Sequence, residues 1–404
     1  MKVLQINALY GHGSTGTIVR DIERLCYSNL IECYVASPDP NVHGAKKGYL
    51  IGGVLDHKIH ALLCRINGKQ AYYSKNSTKR LLTYMDSIRP DVVHLHNLHS
   101  NYIHLPLLLS YLAKKDIATI ITLHDCWFYT GGCFHYTLAD CNGWKIECGA
   151  CPKKMQDTPA YLFDKSTEIL EDRKRYLLAI KRLMITGVSE WISNEARKSF
   201  LRERPIETIY NGIDLDVFKH TPSSLRQRLG LVGKYVILGP ASKWLSPINQ
   251  DALKYVSEGL NESEVLLLYG AQDVTRRTPN HVKLYGYTKD RTELAALYSM
   301  ADVFVNCSRE ESLSLINLEA QSCETPIVTY GITGMMDTVN ESDSYSVPPG
   351  NYVELLKRIR QIQSDNKYQR GQSCRSFIRE KFGIEDNYIK YINSYKRFVM
   401  REDK

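Results

Sequence analysis

Short apolar runs alternate with amphipathic segments along the first half of the chain. Val92–Leu95 and Ala118–Leu123 are mainly apolar and have the length of buried strands, whereas Ser77–Ile88 has the spacing of an amphipathic helix. Alternation of this kind predicts a parallel sheet covered by helices. The same half contains further predicted strands and helices at Val3–Ala8, Thr17–Cys26, Ile31–Ala36 and Leu105–Ala113.

A second alternation of the same kind occupies the later part of the chain. Its predicted strands are Tyr235–Leu238, Val265–Tyr269, Val282–Leu284, Val303–Val305 and Ile327–Thr329. Lys219–Ser224 lies between the two alternations, is polar and contains proline, and so predicts a hinge. Asp386–Met400 has a helical pattern. Two α/β domains with a cleft between them are the simplest architecture for this pattern.

Composition and charge narrow the class of protein. With 404 residues, 43% of them hydrophobic and 24% charged, the chain suits two globular domains. No apolar run approaches the roughly 18 residues that span a bilayer, and the N-terminus predicts a strand without a signal-peptide core. We therefore expect a cytoplasmic location. The net charge of +8 leaves two interpretations open: a solvated surface, or attraction to anionic lipid or phosphorylated substrates.

Two glutamates flank the predicted start of a helix after the strand Val303–Val305. Glu311 lies in the polar loop that follows this strand, and Glu319 lies on the first turns of the next apolar-periodic segment. In α/β folds, ligands bind outside the carboxyl ends of parallel strands. Helix N-termini favour anions there, and carboxylates accept hydrogen bonds from hydroxyl groups. This spacing predicts a binding site for an anionic, hydroxyl-bearing ligand.

A glycine-rich stretch follows the first predicted strand. Gly11–Gly16 matches G-x-G-x-x-G and precedes a predicted helix, which suggests dinucleotide binding. The acidic residue that would hold a ribose is Asp39, which lies beyond the expected strand end in a proline-flanked loop. The alternative is a loop in which Gly13, Ser14 and Thr15 approach the diphosphate of a sugar nucleotide. A tight turn that requires small residues is the third interpretation.

Histidines follow two neighbouring predicted strands. His94, His96 and His99 lie at and beyond the end of one strand, and His124 follows the next. Imidazole can donate a hydrogen bond to a sugar hydroxyl or phosphate, and it titrates near neutrality. We take His124 as the main candidate and His96 as a second one, with loop packing as the alternative for His96.

Four cysteines in the predicted lobe 126–152 have spacings that could surround a metal ion. They are Cys133, Cys141, Cys148 and Cys151, set among glycines. A reducing cytoplasm disfavours disulfides, and four thiolates with one C-x2-C pair can bind zinc tetrahedrally. Three interpretations stay open: structural zinc, buried thiols without a ligand, and disulfide or redox use.

Together these motifs resemble the retaining GT-B glycosyltransferases of family four that serve bacterial capsule and exopolysaccharide synthesis. The resemblance runs from residue 1 to about 350, and its most specific parts are Asn211–Asp214 and the E-x7-E of Glu311 and Glu319. Its other parts are Gly11–Gly16, Asp91–His96, Thr122–Asp125, Val188–Trp191, Leu297–Phe304 and Glu311–Pro326.

The resemblance implies a GT-B fold with two Rossmann-like domains. The acceptor-side domain would span 1–218, the nucleotide-sugar domain 219–385, and a C-terminal helix at 386–404 would pack back on the first domain. It implies transfer from a UDP- or GDP-sugar to a lipid-linked or oligosaccharide acceptor with retention. No cofactor is required for catalysis, because cations of the chain and backbone N–H groups stabilise the leaving diphosphate. It also implies association with the inner face of the membrane and no nucleic-acid partner.

The resemblance also assigns roles to single residues. Glu319 would bind the ribose, Glu311 and His124 would contact the donor sugar, and the backbone at Gly286–Thr288 would border the base. The donor-binding set would include Tyr287, Ser312, Leu313, Ser314 and Leu315.

The chain departs from the family pattern at the diphosphate contacts. Ile248 and Asn249 replace the usual Lys-Gly pair, so that Lys243 is the expected cation, and Leu313-Ser314 replaces Phe-Gly. Glu324 stands where a glycine is usual. Two alternative functions therefore stay open: a dinucleotide-dependent oxidoreductase or epimerase, and a catalytically weakened subunit of a polysaccharide assembly complex.

Overall fold

The computed structural model describes residues 1–157, 159–363 and 367–400. The strands are β1 (Lys2–Ile6), β2 (Glu32–Ser37), β3 (Gly48–Leu50), β4 (Val92–Leu95), β5 (Ala118–Leu123), β6 (Leu183–Gly187), β7 (Ile206–Thr208), β8 (Tyr235–Pro240), β9 (Glu264–Ala271), β10 (Val282–Gly286), β11 (Val303–Asn306), β12 (Ile327–Tyr330) and β13 (Tyr345–Val347).

The helices follow the strands in alternation. They are α1 (Gly13–Ser28), α2 (Val54–Asn67), α3 (Lys75–Ile88), α4 (Leu105–Lys114), α5 (Ser166–Leu178), α6 (Glu190–Arg197), α7 (Leu225–Arg228), α8 (Ala241–Trp244), α9 (Gln250–Gly259), α10 (Arg291–Met300), α11 (Leu315–Ser322), α12 (Tyr352–Gln363), α13 (Lys367–Phe382) and α14 (Ile384–Met400).

The chain divides into two compact units. The first contains Met1–Asn211 together with the chain from Glu385 onward, and the second contains Gly212–Ile384. The division falls a few residues before the Lys219–Ser224 stretch that the sequence suggests as a hinge. The final helix belongs to the first unit, where the Tyr395 hydroxyl contacts His94 Nδ1 at 2.6 Å.

The first unit is built on a seven-stranded sheet in the order β3-β2-β1-β4-β5-β6-β7, and its paired strands are parallel. The predicted strands Val92–Leu95 and Ala118–Leu123 are confirmed with the same bounds, since residues covered on both faces of a parallel sheet are mainly apolar. Chain order jumps between β1 and β4, which makes their carboxyl ends a switch point of the sheet.

The second unit is built on a six-stranded parallel sheet in the order β10-β9-β8-β11-β12-β13. Its core contains Ile237, Leu266, Val305 and Val328 from the strands and Val256 from α9. Here chain order jumps between β8 and β11, so the loops after these two strands share one switch point. Among the residues that are described, no helix is long and apolar enough to cross a membrane.

Candidate functional site

Glu311 and Lys243 meet at the switch point of the second unit. Lys243 belongs to the short helix directly after β8, and its Nζ lies 2.8 Å from Glu311 Oε1 in the loop after β11. The Ser308 hydroxyl donates to the same carboxylate oxygen at 2.9 Å. Both members of the ion pair are partly exposed. The predicted diphosphate cation and the predicted sugar contact are therefore direct neighbours.

A close backbone approach fixes the loop that carries Glu311. The Gly334 N–H donates to the Glu311 carbonyl at 3.0 Å, and the Glu311 N–H donates to the Thr333 hydroxyl at 3.3 Å. A Cβ on Gly334 would lie 1.7 Å from the Ser312 carbonyl oxygen, so no larger residue fits there. The loop is thus packed closely against the turn after β12.

Glu319 lies on α11 with one carboxylate oxygen already bonded. The Tyr298 hydroxyl donates to Oε2 at 2.9 Å and lies 3.0 Å from the Tyr269 hydroxyl. No residue that the structure describes hydrogen-bonds to Oε1. Burial raises the pKa of Glu319 to about 7, although Tyr298 and Arg291 oppose the shift. The carboxylate can therefore accept a further hydrogen bond through Oε1.

A second cation, Arg309, lies close to the same loop, and the sequence analysis missed it. Asn249 links the two loops, because its amide donates to the carbonyls of Lys243 at 3.0 Å and Cys307 at 2.8 Å. Its Oδ1 accepts from Arg309 Nε at 3.0 Å. Lys243 is therefore accompanied by a second cation near this loop. The replacement of the family's glycine by Asn249 was the available signal, since an amide can orient a guanidinium.

The remaining donor-binding candidates of this unit differ in exposure. Ser312, Leu313 and Ser314 are buried, and the Ser314 hydroxyl accepts from Asn306 Nδ2 at 2.9 Å. Leu315 is partly exposed at the first position of α11, whose N-cap side chain does not bond to the first turn. Tyr287 is exposed. The start of α11 thus keeps backbone N–H groups available for an anion.

In the first unit, His96 and His124 form a hydrogen-bonded chain with Gln5. His96 Nδ1 lies 3.0 Å from His124 Nε2, and His96 Nε2 lies 3.2 Å from Gln5 Oε1. Gln5 Nε2 donates to the Val19 carbonyl at 3.1 Å, which fixes the orientation of the amide. His96 is completely buried, whereas His124 is partly exposed. The ends of β4 and β5 thus bring these two histidines together.

The orientation of Gln5 determines the proton positions along this chain. Because Oε1 of Gln5 only accepts, His96 Nε2 must carry a proton, and the neutral ring then accepts at Nδ1. His124 must accordingly donate through Nε2, which leaves its Nδ1 as an acceptor. Burial lowers the pKa of His124 to about 4, although Asp125 opposes the shift, and burial holds the pKa of His96 well below its ordinary value. Both rings are neutral near pH 7.

The glycine-rich stretch differs from the predicted loop, because α1 begins at Gly13 and takes Ser14 and Thr15 into its first turn. Asp39 does lie near this turn, but its carboxylate is occupied. It accepts from Tyr10 N at 3.1 Å and Asn41 N at 3.0 Å, and lies 2.7 Å from His12 Nε2. Burial opposes ionisation, but these contacts lower the pKa of Asp39. The carboxylate is thus engaged by the chain itself, which disfavours dinucleotide binding.

The four predicted zinc ligands lie in one lobe of the first unit. Electrostatic interactions connect Cys133 with Cys148 and Cys151, and Cys141 with the same two residues. The thiols are free, and burial raises the pKa of Cys133 to about 12 and that of Cys148 to about 11. Over the described ranges, no three His, Cys, Asp or Glu side chains are arranged to hold a metal ion as they stand.

A buried cation lies next to these thiols. Arg173 is 1% exposed and stacks on Trp127, with 3.8 Å between the guanidinium carbon and the ring centre. Its Nη1 donates to the carbonyls of Trp127 and Thr130. Its Nε and Nη2 have no hydrogen-bond partner among the residues described. Burial lowers the pKa of Arg173 only to about 10, so the lobe contains a positive charge.

Comparisons with known proteins agree with this fold. The model of "Glycosyltransferase Family 4" matches residues 31–217, and that of "Glycosyl transferases group 1" matches residues 267–380. The chain is 23% identical to the putative colanic acid biosynthesis glycosyl transferase WcaC of Escherichia coli K12, over 88% of this chain and 90% of that protein.

Solved structures show the same fold. Sucrose-phosphate synthase from Thermosynechococcus elongatus superimposes with a TM-score of 0.71 at 16% identity, covering 99% of this chain and 100% of that one. HepE from Anabaena, in complex with UDP-glucose, gives a TM-score of 0.65 at 16% identity over 98% and 100% of the chains. Two Rossmann-like units with these matches define a glycosyltransferase. The chain has the GT-B fold, it is a transferase enzyme, and it resembles the glycosyltransferases of family four.

Proposed function

We propose that this chain transfers a sugar from a UDP- or GDP-sugar to a lipid-linked or oligosaccharide acceptor, with retention, in the synthesis of a cell-surface polysaccharide. The name of the relative WcaC, a putative colanic acid biosynthesis glycosyl transferase, supports the polysaccharide role. The complex of HepE with UDP-glucose supports the nucleotide-sugar donor. A lipid-linked acceptor would place the enzyme at the inner face of the membrane.

The observation that carries the proposal is the state of Glu319. Tyr298 orients the carboxylate through Oε2, and Oε1 has no partner among the described residues. An oriented carboxylate with one unbonded oxygen suits the vicinal hydroxyls of a ribose, since charge-assisted hydrogen bonds are short and strong. Burial raises the pKa of Glu319 to about 7, although Tyr298 and Arg291 oppose the shift, so the carboxyl is ionised in part near neutral pH. Ribose hydroxyls that donate to Oε1 would favour the ionised form further.

The donor diphosphate would lie between cations and the start of α11. Lys243 and Arg309 both lower the pKa of Cys307 against the effect of burial, so both lie close to the end of β11. Backbone N–H groups at the start of α11 add positive potential. Together these groups stabilise charge on the departing nucleoside diphosphate. Glu311, held by Lys243 and Ser308, contacts the donor sugar.

In the first unit, His124 would accept a hydrogen bond from a hydroxyl of the donor sugar. Its Nε2 is engaged with His96, and its neutral Nδ1 can only accept. The Gln5–His96 pair therefore selects the orientation and tautomer of His124. A neutral acceptor suits a neutral hydroxyl, and burial disfavours the charged imidazolium of His124 more than Asp125 favours it.

We also propose a structural zinc ion bound by Cys133, Cys141, Cys148 and Cys151, whose side chains would turn to a common centre. The Gly131 and Lys153 N–H groups donate to Cys148 and Cys151, and such contacts stabilise thiolates. A zinc ion with four thiolates carries net negative charge, which would offset the buried charge of Arg173. The metal would order the lobe, and the transfer does not use it.

Nucleotide binding tests the proposed function. We expect UDP or GDP to raise the melting temperature, and NAD to leave it unchanged. Glu319→Ala should weaken binding of the preferred nucleotide about 10- to 100-fold, since hydrogen bonds to a charged group contribute about 1.5–3 kcal/mol each. Glu258→Ala is the control, because Glu258 is exposed on α9 of the same unit. Unchanged affinity in Glu319→Ala would refute the role of this carboxylate.

Turnover separates the transferase from the weakened-subunit alternative. The purified protein should release UDP or GDP from its sugar nucleotide, faster when an acceptor is present. The anomeric configuration of the product, measured by NMR, tests retention. Binding of a sugar nucleotide without hydrolysis or transfer would support the weakened subunit instead.

A further inference from the structure

Helix α2 presents its apolar stripe to solvent. Leu55, Ile59, Leu62 and Ile66 follow the spacing i, i+4, i+7 and i+11, which places them on one face of a helix. They are 72, 50, 58 and 40% exposed. The buried face of the same helix carries His60 and Cys64 instead. This distribution is the reverse of that of an ordinary surface helix.

A second apolar segment adjoins the end of α2. The Tyr161 N–H donates to the Arg65 carbonyl at 2.7 Å, and a Cβ on Gly68 would lie 3.0 Å from the Phe163 carbonyl oxygen. Tyr161, Leu162 and Phe163 are each more than half exposed. We call the apolar side chains of α2 and of residues 161–163 together the α2 surface. An exposed apolar area of this extent marks an interaction site.

Positive charge borders the α2 surface. Lys58 and Arg65 are exposed, lie seven residues apart along one edge of the stripe, and form no ion pair with any described carboxylate. The acidic residue of the helix, Asp56, is turned away and accepts from the Ser77 hydroxyl at 2.9 Å. Leucine, isoleucine and aromatic side chains beside Lys and Arg are typical of helices that lie in the interface of an anionic membrane.

We propose that the α2 surface docks the enzyme on the anionic face of a lipid bilayer, with α2 lying parallel to the membrane plane. A helix of 14 residues is about 21 Å long and too short to span the hydrocarbon core. A symmetric contact between two copies is disfavoured, because it would bring the unpaired cations of both copies together. The inference rests on the proposed function in one respect, since it names the surface that brings the enzyme to a lipid-linked acceptor.

Vesicle sedimentation tests the docking without nucleotide or acceptor. The wild-type protein should sediment with vesicles of phosphatidylcholine and phosphatidylglycerol, and much less with phosphatidylcholine alone. Replacing Leu55, Ile59, Leu62 and Ile66 together by serine should reduce binding to the mixed vesicles at least about tenfold, since apolar burial provides much of the affinity. These side chains are exposed, so the melting temperature should stay within a few degrees of wild type.

Two further variants sharpen the result. Lys58→Glu with Arg65→Glu should remove the preference for anionic vesicles. Val232→Ser with Val274→Ser replaces exposed apolar residues of the second unit and should leave vesicle binding unchanged. Equal vesicle binding by the quadruple variant and the wild type would overturn the proposal. So would a wild-type protein that binds neither vesicle but forms a dimer lost in the quadruple variant, because a second copy would then cover the surface.

The two proposals can fail independently. Transfer to a water-soluble acceptor analogue should proceed at the wild-type rate in the quadruple variant. Vesicle binding without any transferase activity would leave the docking in place and refute the proposed function. Transfer without vesicle binding would refute the docking and leave the proposed function in place.

Discussion

The two sheets place polar side chains at corresponding switch points but use opposite chemistry there. Around the β1/β4 switch point, Gln5, His96 and His124 form a neutral chain. At the β8/β11 switch point, Lys243 and Glu311 form a partly exposed ion pair. The same fold thus supports one neutral, hydrogen-bonded region and one charged region. The function of each switch point follows from its side chains, since the fold alone does not determine chemistry.

The difference also determines how each region responds to a change. In the neutral chain, each hydrogen bond determines whether the next ring nitrogen donates or accepts. A change at Gln5 would therefore alter the tautomer of His124, although only His96 contacts both residues. In the charged region, Lys243, Arg309 and Glu311 interact through their charges. The loss of one charge therefore changes the electrostatic potential at the other two. We therefore expect the largest functional effects in the second unit.

Removal of Lys243 should have the largest effect. Lys243→Ala is expected to lower turnover by roughly 10²–10³-fold, because a preorganised cation at a developing negative charge contributes that much. Steady-state kinetics with saturating donor would measure the change. Lys254→Ala on α9 is the matched control, since Lys254 is exposed in the same unit.

The presence of Arg309 makes this prediction sharper. If Lys243 and Arg309 act on the same diphosphate, the double variant Lys243→Ala/Arg309→Ala should lose less than the product of the two single effects. A near-wild-type rate in Lys243→Ala would show that Arg309 and the start of α11 carry the charge stabilisation without Lys243.

Loss of the proposed zinc should affect only the first unit. Protein purified without added zinc should contain about one equivalent, and Cys148→Ser should reduce the content at least about tenfold, because four thiolates bind the ion tightly. Nucleotide affinity, which we assign to the second unit, should stay unchanged in this variant. Buried Cys374 provides the control variant Cys374→Ser, which should keep the metal.

Two results would contradict the zinc proposal. Folded, active wild-type protein with less than about a tenth of an equivalent would show that the cysteines are packing residues. Zinc retained in Cys148→Ser would show that the ion lies elsewhere.

If chelation abolishes transfer but leaves donor hydrolysis intact, the lobe serves the acceptor.

Replacing His124 in the neutral histidine chain should have a smaller effect on the rate. His124→Ala should lower kcat/KM about 3- to 10-fold, the value of one neutral hydrogen bond, with UDP or GDP affinity unchanged. In the wild type, ¹⁵N NMR should show protons on Nε2 of His96 and His124 and no titration of either ring between pH 5.5 and about 8. Titration of His124 near its ordinary pKa would contradict the proposed tautomers.

Sequence patterns predicted the buried strands better than the surface helices. β4 and β5 were predicted with their bounds because residues covered on both faces of a sheet are mainly apolar. The sequence analysis did not predict α2, whose apolar stripe faces solvent. The link from Asn249 to Arg309 was also missed, because it joins loops 60 residues apart. Contacts of this kind depend on which strands become neighbours, and local periodicity does not contain that information.

The last prediction concerns Glu319 and the pH dependence of stability. Burial raises its pKa to about 7 from an ordinary 4.5, so between these pH values the folded state holds a proton that the unfolded state has lost. The contribution of this group to stability is therefore complete below pH 4.5 and is lost as pH rises through 7. Glu319→Gln should remove this loss, about 2–3 kcal/mol, when urea denaturation at pH 5 and pH 8 is compared.

Glu293 provides a control of opposite sign in the same unit. Hydrogen bonds from Thr288 and Tyr285 lower its pKa, so its contribution is present above pH 4.5 and is lost only as pH falls through its folded value. Glu293→Gln should therefore leave the difference between pH 5 and pH 8 nearly unchanged. An equal pH dependence in Glu319→Gln and the wild type would mean that Glu319 is ionised throughout this range. A protonated Glu319 would then have no part in the contrast between the two switch points.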